Sequence, residues 1–188
     1  QLVKDLGLDL RYGVNTHVHA DHITGTHKLA QIFPSMKAVL SDEAGAKADV
    51  FLSHRGTLDI GKLKLECRHT PGHTNGCATY VLHNEKMLFS GDALFFRGCG
   101  RTDFQQGSSA RLYDAVHQEI FSLPDDFIVF PGHDYKGHMA TSVGEEKTLN
   151  PRLTLSKEKF VQFMKDLNLD YPKQIDRALP ANLKNGEP

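Results

Sequence analysis

The sequence predicts one layered domain of the α/β or α+β class, and two observations support this prediction. Short apolar runs of strand type alternate along the chain with segments whose apolar residues recur at helical spacing. The length of 188 residues and the hydrophobic content of 39% suit one domain with its own core. No repeat or linker-like segment divides the chain, so we expect a single domain over residues 1–188.

The first quarter of the chain is predicted to contain two helices and two strands. Apolar residues at helical spacing predict a short helix that ends at Gly7. A strand is expected over 12–16, a helix over 25–33 and a second strand over 38–41. The alanine-rich segment 43–48 is expected to form a helical turn.

The middle of the chain has the pattern of an antiparallel sheet. Apolar residues alternate on both sides of Gly61, which predicts a hairpin or a bent strand. The segments 77–83 and 86–92 are predicted to be two strands joined by a tight turn. The apolar run in "DFIVFPGHD" predicts a buried strand that leads into a loop.

Two serines mark the expected starts of later helices. Ser109 is predicted to cap a helix over 110–121, and Ser156 a last helix that ends near 167. The tail from Asp170 is polar and contains three prolines, and we expect it to pack as extended chain.

Composition excludes several classes of partner. The formal net charge of −1 provides no bulk attraction to nucleic acid or to an anionic membrane. No apolar run approaches the ~20 residues of a membrane helix. Cys67, Cys77 and Cys99 lack the spacing of a disulfide framework, which favours a reducing intracellular compartment. The first residues contain neither an initiator Met nor a targeting segment, so we expect a processed form or a fragment.

The strongest functional signal is the cluster H-x-H-x-D-H. It comprises His17, His19, Asp21 and His22, directly after the first predicted strand. Alternate residues of a strand face the same side, so the first two imidazoles can converge, while the other two side chains reach the same cavity from the turn. Imidazole and carboxylate ligands suit Zn, Fe or Mn, and no cysteine lies near the cluster in sequence. His27 falls in the following helix and is not expected to bind metal.

Further candidate ligands follow three other predicted strands. These are His73, Asp92 and His133. Ligands at the ends of strands are held by a rigid sheet, and together with the cluster these residues would suffice for two ions. The remaining histidines are expected to be structural or on the surface: His54, His69, His83, His117 and His138.

The motifs resemble those of the metallo-β-lactamase superfamily. After H-x-H-x-D-H, the segments "TPGHTNG", "FSGDALF" and "FPGHD" appear in the order typical of that superfamily. The resemblance covers nearly the whole chain. It implies an α+β fold, the αββα sandwich, with the metal site at one edge. It also implies first strands that would precede Gln1.

Two glutathione-linked branches of the superfamily compete at this point. One is glyoxalase II, a dinuclear thioester hydrolase. There the resemblance implies that the first ion takes His17, His19, His73 and Asp92. The second ion would take Asp21, His22, Asp92 and His133. The other branch comprises the persulfide dioxygenases, also called sulfur dioxygenases. The segments "RGCGRTDFQQGSS", "HDYKG", "EEKTLNPRLTLS" and "PANL" are similar to theirs, and we favour this branch.

The persulfide dioxygenase resemblance implies one Fe(II) per chain, held by His17, His73 and Asp92. Two imidazoles and one carboxylate leave three coordination positions open, as oxygen activation by non-heme iron requires. The implied reaction converts glutathione persulfide, O2 and water into sulfite and glutathione. The other potential ligands would then orient the first three or hold water: His19, Asp21, His22 and His133. The resemblance also suggests the mitochondrial matrix, and a homodimer is left open.

Three residues outside the ligand set are candidates for catalysis or substrate binding. Tyr135 is predicted either to donate a hydrogen bond to the substrate or to be a buried structural residue. Arg101 is predicted either to hold a glutathione carboxylate or to fix its own loop by pairing with Asp103. Cys99 is a candidate for contact with the persulfide, although free cysteines are more often small core residues. Arg152 is expected to be mainly structural.

Overall fold

The computed structural model describes residues 1–187 as two facing β-sheets with helices on their outer sides. A three-stranded parallel sheet has the order β1-β2-β3, and a six-stranded sheet runs from β4 to β9 in sequence order. The strands are β1 Tyr12–Val14, β2 Lys37–Ser41, β3 Val50–Leu52, β4 Thr57–Ile60, β5 Leu63–His69, β6 Ala78–Leu82, β7 Met87–Gly91, β8 Ile128–Pro131 and β9 Thr141–Ser142. The αββα fold implied by the resemblance is confirmed.

The helices are short, and several begin at a side-chain cap. They are α1 Leu2–Asp5, α2 Thr26–Ile32, α3 Ser109–Ala115, α4 Val143–Leu149, α5 Lys157–Lys165 and α6 Ile175–Asn182. A π-helical turn, Val116–Ile120, continues α3. None of the helices in the described part of the chain is long and apolar enough to cross a membrane.

Two apolar clusters hold the layers together. The inner cluster lies between the sheets and contains the fully buried Val39 and Cys67, with Tyr80 beside them. The outer cluster packs the six-stranded sheet against α3 and α5, with Leu112 and Phe160 at its centre. Burial of this apolar area is the main favourable contribution to folding, and it fixes the sheet edge from which the site residues project.

Most of the predicted elements are present. The β4–β5 hairpin turns at Gly61, whose φ of 62° lies in the left-handed region that glycine tolerates. The strands β6 and β7 form the predicted antiparallel pair. The helix predicted after Ser156 is present as α5, and the Ser156 hydroxyl accepts a hydrogen bond from the Lys159 amide, but this helix is not the last, because α6 follows it.

A charged cluster surrounds Glu66 on β5. Glu66 accepts hydrogen bonds from Arg55 at 2.8 Å and from Arg68 at 3.0 Å, and it also pairs with His83. Partial burial alone would raise the pKa of Glu66, but these partners outweigh it and lower the pKa to about 2. The Glu66 cluster therefore stabilises the ionised carboxylate in the folded state.

Two predictions of local structure were wrong. The segment 43–48 forms turns rather than a helical turn, because Gly45 has a φ of 64° and interrupts helical geometry. The cap of α3 is Ser108, whose hydroxyl accepts from the Arg111 amide, so the helix already includes Ser109.

The tail is also not extended chain throughout. It contains α6, which buries Ile175, Ala178 and Ala181 on one face despite Pro180 within the helix. Burial of this face offsets the hydrogen bond that proline cannot donate. The strands β3 and β9 and the helix α4 were not predicted.

Candidate metal centre

Four strand ends bring the predicted ligands to one edge of the sandwich. His17 follows β1, His73 follows β5, Asp92 directly follows β7, and His133 follows β8. The strands β7 and β8 are parallel neighbours, so the two residues that follow them emerge side by side. The sheet thereby fixes where these side chains start, while the loops set their final direction.

The innermost group consists of His17, His73 and Asp92. Each offers one ligand atom, and the three atoms lie within 4.8 Å of one another. The Nε2 atom of His73 is 3.5 Å from Oδ2 of Asp92. Burial lowers the pKa of His17 well below its usual value, which keeps that imidazole neutral and able to donate a lone pair.

Hydrogen bonds on the outer nitrogens orient these imidazoles. The Nδ1 atom of His73 lies 2.7 Å from the carbonyl oxygen of Arg101 and donates to it, which leaves the Nε2 lone pair free. The Nδ1 atom of His17 lies 3.0 Å from the Thr16 hydroxyl. Each ring therefore presents Nε2 to the centre.

A second, more exposed group consists of His19, Asp21 and His22, whose ligand atoms also lie within 4.8 Å of one another. Burial, followed by the neighbouring His22, lowers the pKa of His19 to about 4. The Nδ1 atom of His19 is buried and has no hydrogen-bond partner within residues 1–187. An unpaired buried nitrogen is costly, and a cation or a bound water would satisfy it.

His133 bridges the two groups. Its Nε2 atom lies 2.8 Å from Oδ2 of Asp21, and its Nδ1 atom lies 2.9 Å from Oδ1 of Asp92. These two hydrogen bonds raise the pKa of His133 to about 10, so the protonated ring donates to both carboxylates. Burial alone would raise the pKa of Asp92, but His133 and the other imidazoles outweigh it and lower that pKa.

Two glycines let the main chain approach the ligands closely. A Cβ at Gly132 would lie 2.5 Å from Oδ1 of Asp92. A Cβ at Gly100 would lie 2.5 Å from the Asp92 carbonyl oxygen and 2.9 Å from Nδ1 of His73. No larger residue fits at either position without displacing a ligand.

The centre opens into a cavity of about 480 Å³, which we call the site cavity. Aromatic side chains and cations line it around His73 and Asp92: Phe95, Phe96, Phe104, Tyr135, Arg97, Arg101, Lys136 and Arg152. Glu145 engages Arg97 at 2.7 Å. The Lys136 ammonium forms no ion pair within the described residues. A ligand that carries carboxylates would meet these cations, of which Arg97 and Arg101 already pair with Glu145 and Asp103. Three aspartates also line the cavity: Asp21, Asp92 and Asp134.

The structure shows where the other three predicted site residues lie. Tyr135 is 80% exposed and its ring is parallel to that of His133, with the centroids 5.8 Å apart, so the alternative of a buried structural tyrosine is wrong. Arg101 makes the two-point contact with Asp103, at 2.7 and 2.8 Å, while still lining the site cavity.

The thiol of Cys99 points into the core. It lies 3.8 Å from Sδ of Met164, and burial raises its pKa to about 11. A thiolate is therefore scarce at neutral pH, which disfavours a nucleophilic role. The carbonyl of Cys99, in contrast, accepts from Arg152 at the cavity wall.

Three residues of this region lie within quoted motifs but were assigned no role from the sequence: Gly132, Lys136 and Asn182. The sequence does contain an indication for Gly132, because a glycine between a strand and a candidate ligand indicates close approach of the backbone. Lys136 cannot be distinguished in the sequence from the other lysines. Asn182 lies in the tail, where no helix was expected.

The residues present fit a metal ion. Two imidazole nitrogens and one carboxylate oxygen converge, both rings are oriented by outer hydrogen bonds, and an unpaired nitrogen lies next to them on His19. This donor set is intermediate to hard, which suits a divalent first-row metal ion. The three donors also leave the side toward the site cavity free for other ligands.

Comparison with known proteins defines the class. The family model described as the metallo-beta-lactamase superfamily matches residues 1–133, well over half of the chain. The chain belongs to this superfamily.

More specific similarity lies within the superfamily. The chain is 53% identical over 186 residues to the human protein named "Persulfide dioxygenase ETHE1, mitochondrial", covering 99% of this chain and 73% of that protein. The crystal structure of ETHE1 from Myxococcus xanthus superposes with a TM-score of 0.95 at 44% identity, over 99% of this chain and 82% of the other. A probable hydroxyacylglutathione hydrolase of Schizosaccharomyces pombe is 36% identical over 135 residues, covering 71% of this chain and 52% of that protein. The chain therefore belongs to the persulfide dioxygenase family, as its motifs predicted.

Proposed function

We propose that this chain oxidises glutathione persulfide with O2 and water to sulfite and glutathione. Identity of 53% over 99% of the chain to relatives named persulfide dioxygenases favours this activity over thioester hydrolysis of the glyoxalase II kind. The reaction balances as one persulfide, one O2 and one water giving one glutathione, one sulfite and two protons. The outer sulfur of the persulfide is oxidised, and O2 is reduced.

One observation of geometry carries the proposal: the ligand atoms of His17, His73 and Asp92 lie within 4.8 Å of one another, and two of these residues, His73 and Asp92, line the site cavity. Three donors with an open side suit a mononuclear site for two reactants. His19, Asp21 and His22 retain the layout of a second site, so the metal content of the purified protein decides between one ion and two.

We further propose that the ion is Fe(II), one per chain, held by His17, His73 and Asp92. Fe(II) would supply the redox chemistry that allows O2 to react with a persulfide sulfur. The chain's own contribution is orientation, since the Arg101 carbonyl holds His73 in one tautomer and His133 holds one oxygen of Asp92. Fixed ligands keep both reactants in one geometry and lower the entropic part of the barrier.

The site cavity provides the substrate contacts. Its volume of about 480 Å³ lies within the range typical of small-molecule sites. The two carboxylates of glutathione would meet Arg101, Arg152 and Lys136, and the phenyl rings of Phe95 and Phe96 would exclude bulk water from the sulfur end. Tyr135, which is exposed and whose ring is parallel to that of His133, would donate a hydrogen bond from its hydroxyl to the substrate.

Its cellular role would then be sulfide detoxification in the mitochondrial matrix. Support comes from the human, mouse and bovine relatives, each of which is named as a mitochondrial protein. Import of a tagged full-length protein into isolated mitochondria tests this location.

An oxygen-electrode assay on iron-loaded protein tests the activity. Glutathione persulfide should start oxygen uptake, and the His73→Ala variant should show less than about 1% of that rate because one of three ligands is lost. The same preparations are assayed for hydrolysis of S-lactoylglutathione, and their bound metals are quantified. Two zinc ions per chain with thioester hydrolysis and no oxygen uptake would contradict the proposal.

A further inference from the structure

Asn182 on the last helix connects the tail to the loop that carries H-x-H-x-D-H. Its side-chain Nδ2 atom donates to the carbonyl oxygens of His19 at 2.8 Å and His22 at 2.7 Å. Its Oδ1 atom accepts from the amide of Thr24 at 2.9 Å. We call residues 15–24 the metal loop.

We propose that Asn182 is a positioning residue for the metal centre, acting through the main chain of the metal loop. This inference rests on the proposed metal centre, but not on the identity of the metal or the substrate. Asn182 is only 4% exposed, and both of its N–H groups are used on this one loop, about 160 positions away in sequence. A buried amide with both donors and its oxygen engaged has one preferred orientation, so it fixes the groups that it contacts.

The loop is held from its inner side as well. The hydroxyl of Thr24 donates to Oδ1 of Asn15 at 2.9 Å, and the side-chain Nδ2 of Asn15 donates to the Thr26 hydroxyl at 2.9 Å. The Tyr80 hydroxyl donates to the Asn15 carbonyl at 3.1 Å. These contacts fix the two ends of the loop, whereas Asn182 contacts the segment from His19 to His22, which follows the proposed ligand His17 and carries the second, more exposed group.

The placement of Asn182 is itself rigid. Ala178 and Ala181 on the same helix are buried against the body of the domain. After the helix, the carbonyl of Asn185 accepts from the His27 amide at 2.9 Å, and a Cβ at Gly186 would lie 2.3 Å from the Thr24 carbonyl oxygen. The tail therefore packs closely against the segment that follows the metal loop, and Asn182 cannot withdraw without moving the whole turn.

Loss of the Asn182 side-chain amide should make the segment from His19 to His22 more mobile and displace its imidazole rings. The carbonyls of His19 and His22 would lose their donor, and each would turn toward water or another partner. His17 lies two residues before His19 on the same loop, so its ring would lose part of its orientation. Removal of contacts that orient metal ligands typically weakens metal binding 10- to 100-fold.

The test compares two buried asparagines by metal affinity. Asn150 is the matched control, because it is fully buried and uses its amide in the same way: it donates to the Gly98 carbonyl and to Glu146 and accepts from two main-chain amides, all away from the metal loop. Dissociation constants for Co(II) are measured by competition with a chelator on wild type, Asn182→Ala and Asn150→Ala, together with visible spectra and the urea unfolding of the metal-free proteins.

We expect both variants to lose stability, and only Asn182→Ala to bind Co(II) 10- to 100-fold more weakly with a changed visible spectrum. Equal affinities in all three proteins, or equal weakening in both variants, would overturn the inference alone. Wild type that binds no Co(II) would overturn the metal centre itself. If Asn182→Ala does not fold, Asn182→Asp takes its place, because it keeps the acceptor for Thr24 and removes both donors. Asn182→Asp should bind Co(II) 10- to 100-fold more weakly than wild type, and an affinity equal to that of wild type would overturn the inference.

Discussion

The substitution Gly132→Ala provides a sharp test of the ligand geometry, because it changes the centre without removing any ligand. Gly132 follows β8, and its main chain passes beside the carboxylate of Asp92. Its φ does not lie in the left-handed region, so alanine introduces no backbone strain there. The added methyl group acts only through the space that it needs.

The size of the effect follows from one distance. The new Cβ would lie 2.5 Å from Oδ1 of Asp92, and contacts of Cβ atoms under 3.0 Å are essentially never seen, so the carboxylate must move by at least 0.5 Å. A functional constellation tolerates roughly that much displacement before it fails. We expect kcat/KM for glutathione persulfide to fall about 30- to 100-fold, and a 100-fold loss corresponds to about 2.7 kcal/mol of transition-state stabilisation.

Oxygen uptake and metal content are measured together on Gly132→Ala, on wild type and on Gly25→Ala. At Gly25 a Cβ would meet nothing within 4 Å, so this variant should behave as wild type. Overpacking at Gly132 should cost about 1 to 3 kcal/mol of folding stability, which leaves a folded protein. Wild-type activity and metal affinity in Gly132→Ala would refute the placement of Asp92 as a ligand.

Three further predictions concern the cavity wall and the Glu66 cluster. Tyr135→Phe should leave the melting temperature unchanged, because the ring remains, and should lower kcat about 10-fold or more through loss of the exposed hydroxyl; an unchanged kcat would remove Tyr135 from the reaction. Arg101→Lys breaks the two-point contact with Asp103 and should raise KM about tenfold. The effect on kcat should be smaller, because the carbonyl that orients His73 stays in place. Steady-state kinetics in which kcat falls and KM is unchanged would contradict this. Glu66 has a pKa of about 2 in the folded state against 4.5 in a free chain, so its stabilisation is complete above pH 4.5 and is lost as the pH falls toward 2. In urea titrations across that window, the free energy of unfolding of wild type should fall by about 1 to 2 kcal/mol more than that of Glu66→Gln, a range that allows for solvent screening. Equal losses in the two proteins would refute the lowered pKa of Glu66.

Much of the candidate site is readable from the sequence because strand ends and ligands coincide. H-x-H-x-D-H after a short strand, and three further candidates after other strands, predicted one shared edge, and the structure brings all of them to that edge. The alternation of apolar and polar residues around Gly61 also predicted the β4–β5 hairpin, because a half-buried strand has apolar residues at every second position.

Other parts were not predictable because tertiary contacts override local signals. The helix α6 contains Pro180 and is stable only because its face is buried, which no local pattern reveals. The role of the Arg101 carbonyl toward His73 is also hidden, because main-chain groups have no sequence signature. The contacts of His133 with two carboxylates depend on how β7 and β8 pair. The residues alone predicted two ions, and only the family resemblance implied one.

The most direct test of the central claim is the stoichiometry of the reaction on protein loaded with one iron per chain. Oxygen consumed, sulfite formed and glutathione released are measured in the same sample after addition of glutathione persulfide, with zinc-loaded protein as the control. We predict a ratio of 1:1:1 with iron and no oxygen uptake with zinc. Sulfite formation without oxygen uptake, or activity restricted to thioester hydrolysis by the zinc-loaded protein, would contradict it.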